Sequence, residues 1–254
     1  MKTLSLIKTL LIATVLVLAG CSGVSGAAKD EPGLVLVAGA TGGTGRALVR
    51  NLQAQGYPVR AFVRDIDKAR LVLGENIEYA QGDVRDINSI NAAMTDVDYV
   101  ISSIGAGQKD PENGPEAVDY GGVKNMVEAS AAADIKQFVL VSSSGVTQED
   151  HFLNKIMNNV LKWKFKGEEV LRDSGVEYTI VRPGGLINEP GGQQGLIFAQ
   201  GDTTTGRITR EDVALICIEA LQNKSALNKT FETYSTEEPG VNNWPALFSA
   251  LQSD

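Results

Sequence analysis

The sequence predicts an α/β chain built on a doubly wound parallel sheet. Two observations carry that expectation. From Leu34 onward, short apolar runs alternate with helix-like stretches across short loops, and a glycine-rich turn joins the first run to the first helix.

The elements follow in order. Residues 34–38 (LVLVA) are wholly apolar, as a strand covered on both faces should be. The glycine turn leads into a helix over about 44–55, then a strand over 59–63 and a short helix after Asp65. Further strands are expected at 77–80, 99–102, 138–142 and 178–181, with helices near 87–94, 116–132 and 160–174 between them. After Pro183 the alternation loosens. A helix at 210–222, a strand at 230–234 and a closing helix at 244–251 are expected to form a small C-terminal lobe from about residue 184. Such a lobe would lie over the carboxyl ends of the strands, where open α/β sheets take their ligands.

Composition narrows the function. The 254 residues carry a formal net charge of −8, with 43% hydrophobic and 21% charged residues. One globular unit fits; disorder does not. The acid excess argues against a nucleic-acid partner. Only Cys21 and Cys217 are present, so a disulfide framework is not expected, and the single histidine, His151, argues against a metal cage.

The first twenty residues stand apart. Lys2 and Lys8 precede an apolar run over about 10–19 that ends in Leu18-Ala19-Gly20-Cys21. The run is shorter than the roughly 20 apolar residues of a spanning helix but suits a signal peptide. Its end resembles a bacterial lipobox. The expected organisation is a signal over 1–20, a Gly- and Ser-rich tether over 21–32, and a nucleotide-binding unit over 33–254. Lipidated Cys21 would then anchor the chain to a membrane on its exported, periplasmic face.

In Gly39-Ala40-Thr41-Gly42-Gly43-Thr44-Gly45 the first, second and last of the motif glycines are spaced G-x-x-G-x-x-G between strand and helix. That chemistry suits a dinucleotide: a tight turn, an approach of backbone to pyrophosphate, and close packing of helix on strand. Amides at the helix start would meet the phosphates. The second strand runs into Arg64, with Lys68 one turn later. Arg64 can grip a 2′-phosphate in bidentate fashion, Lys68 and Arg46 can add charge, and NADP is favoured. Asp65, one position late for a ribose 2′-hydroxyl contact, speaks for NAD.

Together these segments carry a resemblance. The glycine turn, Gly82-Asp83-Val84, Val118-Asp119-Tyr120-Gly121-Gly122, Val141-Ser142-Ser143-Ser144 and the stretch from Tyr178 through Arg182-Pro183-Gly184-Gly185-Leu186 resemble the atypical short-chain dehydrogenase/reductases. Lys162-Trp163-Lys164-Phe165-Lys166-Gly167-Glu168 and Arg210-Glu211-Asp212-Val213-Ala214 match the small NAD(P)-binding branch of plants, cyanobacteria and other bacteria. The resemblance implies a Rossmann fold. It places Asp83 and Val84 beside the adenine, and Ser102, Ser103, Ile104 and Gly105 beside ribose. Ser142, Ser143 and Ser144 would face the nicotinamide, and Pro183 to Leu186 would close over it.

One departure matters. The family's Tyr-x-x-x-Lys would fall on the helix after the fifth strand. With Lys164 as its lysine the tyrosine position holds Val160; with Lys166 it holds Lys162. Tyr120-Gly121-Gly122-Val123-Lys124 has the spacing but precedes the serine strand, and reads as a decoy. Ser143, Ser144 and Lys164 are therefore the candidate catalytic groups, able to polarise a carbonyl. An acceptor protonated by solvent, such as a quinone, would need no phenol. The leading expectation is NADPH-dependent reduction of a small carbonyl or quinone-like acceptor. A membrane-anchored NADP-binding sensor or scaffold, or an epimerase that retains its cofactor, are the alternatives. His151 reads as a solvated loop residue and Cys217 as a buried helix residue.

Overall fold

A computed structural model describes residues 32–107 and 111–254. The expected signal and most of the expected tether lie outside the described residues. Residues 32–254 form one compact unit. Among the described residues no helix is long and apolar enough to cross a membrane.

Five parallel strands open the chain: β1 (Val35–Ala38), β2 (Val59–Val63), β3 (Glu78–Gln81), β4 (Tyr99–Ser102) and β5 (Gln137–Val141). With β6 (Tyr178–Pro183), β8 (Leu196–Ala199) and β10 (Lys229–Ser235) they make an eight-stranded sheet in the order β3-β2-β1-β4-β5-β6-β10-β8. All pairs are parallel except β10 with β8. The order runs outward from β1 in both directions. The gap where it reverses, between β1 and β4, is where a ligand-binding crevice belongs.

The helices α1 (Gly43–Ala54), α2 (Ile66–Leu73), α3 (Ile87–Ala93), α4 (Val123–Ala132), α5 (Phe152–Ile156), α6 (Val160–Arg172), α7 (Arg210–Gln222) and α8 (Trp244–Ser249) sit between the strands in the chain. Two apolar layers result. Leu48 and Leu52 of α1 join Ile216 of α7 on one sheet face, while Ile90 of α3 and Met126 of α4 fill the other. Strands β1, β2, β5 and β6 are buried along their whole length, which is why they show no apolar–polar alternation; the polar side chains among them, Arg60, Gln137, Thr179 and Arg182, are buried too.

The C-terminal third departs from expectation. Instead of standing apart as a lobe, β10 continues the main sheet beside β6 and α7 packs on α1. Burial explains it: Phe231, Ile216 and Phe248 are fully enclosed in the same core as β1. Only the paired strands β7 (Gly185–Ile187) and β9 (Arg207–Thr209) form a second, small sheet. The helix expected over 116–132 begins as a π-helical turn over Glu116–Gly122 before continuing as α4.

Candidate functional site

The glycine turn is built as its spacing requires. Gly39 has φ +76, and a Cβ there would lie 2.7 Å from the carbonyl oxygen of Ser103. A Cβ on Gly45 would stand 2.1 Å from the carbonyl oxygen of Gly39, so helix and strand could not close. Gly42, by contrast, meets only that same oxygen at 3.2 Å and leaves room over the turn. It also begins α1 without a side-chain cap, and the first turn holds no acidic residue. The helix start therefore keeps its amides and dipole for an external anion. These features fit the pyrophosphate of a dinucleotide.

A cavity of about 690 Å³ opens beside the turn. Gly39, Thr41 and Gly42 line one wall, Arg64, Asp83 and Val84 the next, and Ser103, Ile104 and Gly105 the third. Eight of the residues expected at the cofactor thus converge there with Arg64. Asp83 is held below the usual carboxylate range, chiefly by its hydrogen bonds from Arg85, with Arg64 adding a further pull. The Arg85 guanidinium reaches Asp83 at 3.0 and 2.8 Å.

Six of the expected contacts do not line the cavity: Gly43, Thr44, Gly45, Lys68, Ser102 and Pro183. Lys68 is 82% exposed and its ammonium closes on Asp65 at 2.7 Å. Asp65 in turn caps α2, accepting from the Lys68 amide at 3.0 Å. The two side chains pair with each other at the exposed start of α2. Ser102 is fully buried, its hydroxyl without a hydrogen-bond partner, because neighbouring side chains on a strand point to opposite faces. Its neighbour Ser103 lines the cavity and donates to the Ala38 carbonyl at 3.2 Å.

Beyond β5, the serines occupy different settings. Ser142 is buried and its hydroxyl has no hydrogen-bond partner. Ser143 donates to the Ser144 carbonyl at 3.0 Å, and the Ser144 amide donates to the Pro183 carbonyl at 3.0 Å. The phenol of Tyr234, which sequence reasoning missed, hydrogen-bonds the Ser144 side chain and donates to the Thr204 carbonyl. Burial pushes its pKa up. Tyr234 arrives from β10, far along the chain; its ring fits because Gly184 and Gly206 have no Cβ to meet it, at 2.6 and 2.7 Å.

Lys164 does not stand free. Its ammonium lies 2.7 Å from Oδ1 of Asp119, whose side chain is fully buried in the π-helical turn, and the other oxygen accepts from the Ala106 amide at 3.1 Å. Gly167 lets the two elements meet: a Cβ there would lie 2.7 Å from the Asp119 carbonyl. Lys164→Met should thus leave a buried carboxylate without its cation and cost about 3 kcal/mol. Thermal unfolding checks it. Lys164→Met with Asp119→Asn should recover most of the loss; an equally destabilised double variant would show that the loss does not come from a stranded Asp119 carboxylate.

The decoy tyrosine, Tyr120, packs on Trp163 with ring centroids 5.9 Å apart. His151 accepts from the Leu153 amide at 3.2 Å and so caps α5. Cys217 is buried, and burial raises its thiol pKa.

Residues 39–224 match the NAD(P)H-binding family. The chain belongs to that family. It is 38% identical over 239 residues to an uncharacterised chloroplast protein of Arabidopsis thaliana, covering 85% of this chain and 73% of that one. It is 35% identical over 260 residues to sanguinarine reductase of Eschscholzia californica, covering 86% and 94%. Among solved structures, a Bacillus halodurans protein titled as an NAD-dependent epimerase/dehydratase superposes with a TM-score of 0.75 at 26% identity, covering 86% of this chain and all of that one. The family is oxidoreductase-like and binds NAD(P), with the Rossmann architecture seen here.

Proposed function

We propose that the chain is an NADPH-dependent reductase of a small carbonyl or quinone-like acceptor, held at a membrane by lipidated Cys21. The observation that carries the cofactor choice is Arg64 on the cavity wall while Asp65 is spent on α2 and Lys68. A guanidinium there suits a 2′-phosphate; a committed carboxylate does not suit a 2′-hydroxyl. The likeness to a protein named sanguinarine reductase supports the reductase class.

Bound NADPH would supply the hydride. The turn amides would hold its phosphates, and the segment Ser142-Ser143-Ser144 at the end of β5 would flank the reacting end. Lys164, paired with the buried Asp119, keeps a partly exposed positive charge on α6 without supplying a phenol. Val160 and Lys162 occupy the positions where a tyrosine would stand. An acceptor whose reduced form takes its proton from water meets this arrangement best.

NADPH oxidation by the purified protein across a panel of quinones and small ketones tests the reading. Turnover above the spontaneous rate, strongest with quinones, is expected. Tight NADPH binding with no turnover on any acceptor would favour the second reading, a nucleotide-binding protein without hydride chemistry, which the neutralised Lys164 supports. Intact-mass measurement of the native protein tests the anchor: a diacylglyceryl group on an N-terminal Cys21 is expected, and an unmodified chain retaining Met1 would refute it.

A further inference from the structure

Arg210 opens α7, yet its side chain reaches across to the start of α1. A Cβ built on Gly43 would lie 2.6 Å from its Cδ and 2.8 Å from its Nε. The guanidinium therefore occupies the space that a side chain at position 43 would need, directly over the turn that begins α1.

The electrostatics of that placement are unusual. A cation at a helix N-terminus opposes the helix dipole. Two acids follow Arg210, but both are committed elsewhere. Glu211 pairs with Arg50 and accepts from Asn51 at 2.6 Å. Asp212 accepts from the Thr209 hydroxyl at 2.8 Å and from the Gly192 amide at 2.7 Å. Among the described residues no carboxylate comes within 4.0 Å of the Arg210 nitrogens. Its hydrogen-bond partner is neutral: Nη1 donates to the Asn188 side-chain oxygen at 2.8 Å. An unneutralised guanidinium thus stands over an uncapped helix start that has no acidic residue of its own.

We infer that Arg210, seated against Gly43 at the start of α1, binds the pyrophosphate of the dinucleotide, and that Asn188 aims it. The inference rests on the chain's binding a dinucleotide at the glycine turn, and it adds a second arginine with a separate target. Arg64 would read the 2′-phosphate and Arg210 the bridging phosphates. The complementary sizes of Gly43 and Arg210 explain why the turn carries two adjacent glycines.

Ligand binding separates these roles. NADPH and ADP-ribose contain the pyrophosphate; 2′-AMP contains only the adenosine-side 2′-phosphate. Affinities for NADPH by fluorescence, for ADP-ribose by calorimetry, and for 2′-AMP by ligand-observed NMR would be measured on the full chain. Arg210→Gln should weaken NADPH and ADP-ribose by about tenfold or more, from loss of charge-assisted hydrogen bonds, while 2′-AMP changes by less than about twofold. Asn188→Asp, which sets a carboxylate against the guanidinium without removing it, should weaken the same two ligands and spare 2′-AMP. It keeps the test open should the Arg210 variant fold poorly. Unchanged NADPH affinity in both variants, or equal losses for all three ligands, would overturn the assignment. A parent chain that binds none of the three would overturn it together with the dinucleotide reading beneath it.

Discussion

Arg182→Met is expected to lower the melting temperature by about 6–20 °C. Arg182 lies at the centre of a buried ionic network. Its guanidinium meets Glu168 at 3.0 and 2.6 Å and Glu232 at 3.0 Å. Glu168 also accepts from Arg172 at 2.7 Å, and Glu232 accepts from the Asp202 amide at 3.0 Å. Glu168 is 0% exposed and Glu232 1%. Deleting the arginine leaves two carboxylates sealed from water with their best donor gone, a loss of about 3–5 kcal/mol. For a domain of this size each kcal/mol moves the midpoint by about 2–4 °C.

The loss should also be felt at the site. Asp202 carries the network to the loop after β5: its carboxylate accepts from the amides of Gly145 at 2.5 Å and Thr147 at 3.0 Å. Those amides should exchange faster in Arg182→Met than in the parent, beyond the change at remote amides such as that of Ile90 in α3. Replacing all three charges at once, as Arg182→Met with Glu168→Gln and Glu232→Gln, should restore much of the stability, because no buried charge is then stranded. A single variant that melts with the parent would show the network to be energetically idle.

Arg64→Glu is expected to invert cofactor choice. The parent should bind NADPH more tightly than NADH. The substitution removes charge-assisted bonds to the 2′-phosphate, puts a negative charge against it, and offers NADH an acceptor for its 2′-hydroxyl. The NADPH-to-NADH affinity ratio should fall by about a hundredfold or more, on the scale of two lost charged hydrogen bonds. Equal weakening of both nucleotides would mean that Arg64 senses only the shared adenosine, and would refute the NADP assignment.

Much of this was legible in the sequence, for identifiable reasons. Runs such as LVLVA at 34–38 have one good use in an α/β chain, and β1 occupies Val35–Ala38. The glycine spacing named its own contacts because each glycine answers a close approach of backbone. Local signals failed where the partner is distant. Strands β7 and β9, of three residues each, are too short for periodicity to register. Arg182 reads as part of a motif, and its partners Glu168 and Glu232 are 14 and 50 residues away. Tyr234 reaches Ser144 only because β10 joins the sheet beside β6, which the loosened pattern after Pro183 concealed. Lys164 reads in the sequence as a candidate catalytic group because nothing at its own position announces Asp119 across the π-helical turn. Arg210 gave no sign either, since its placement over Gly43 depends on α7 packing against α1.

The central claim is hydride transfer from NADPH bound at the glycine turn. The most direct test uses NADPH deuterated at the transferable position of the nicotinamide C4, with the best acceptor from the panel. If the acceptor is a ketone, mass spectrometry should find one deuterium on the product carbon. If it is a quinone, whose product hydrogens exchange with water, a primary isotope effect on single-turnover NADPH oxidation takes the place of the retained label. Saturating NADPH occupancy with neither label transfer nor an isotope effect, on a protein that remains folded, would contradict the reductase reading and leave a nucleotide-binding protein without hydride chemistry.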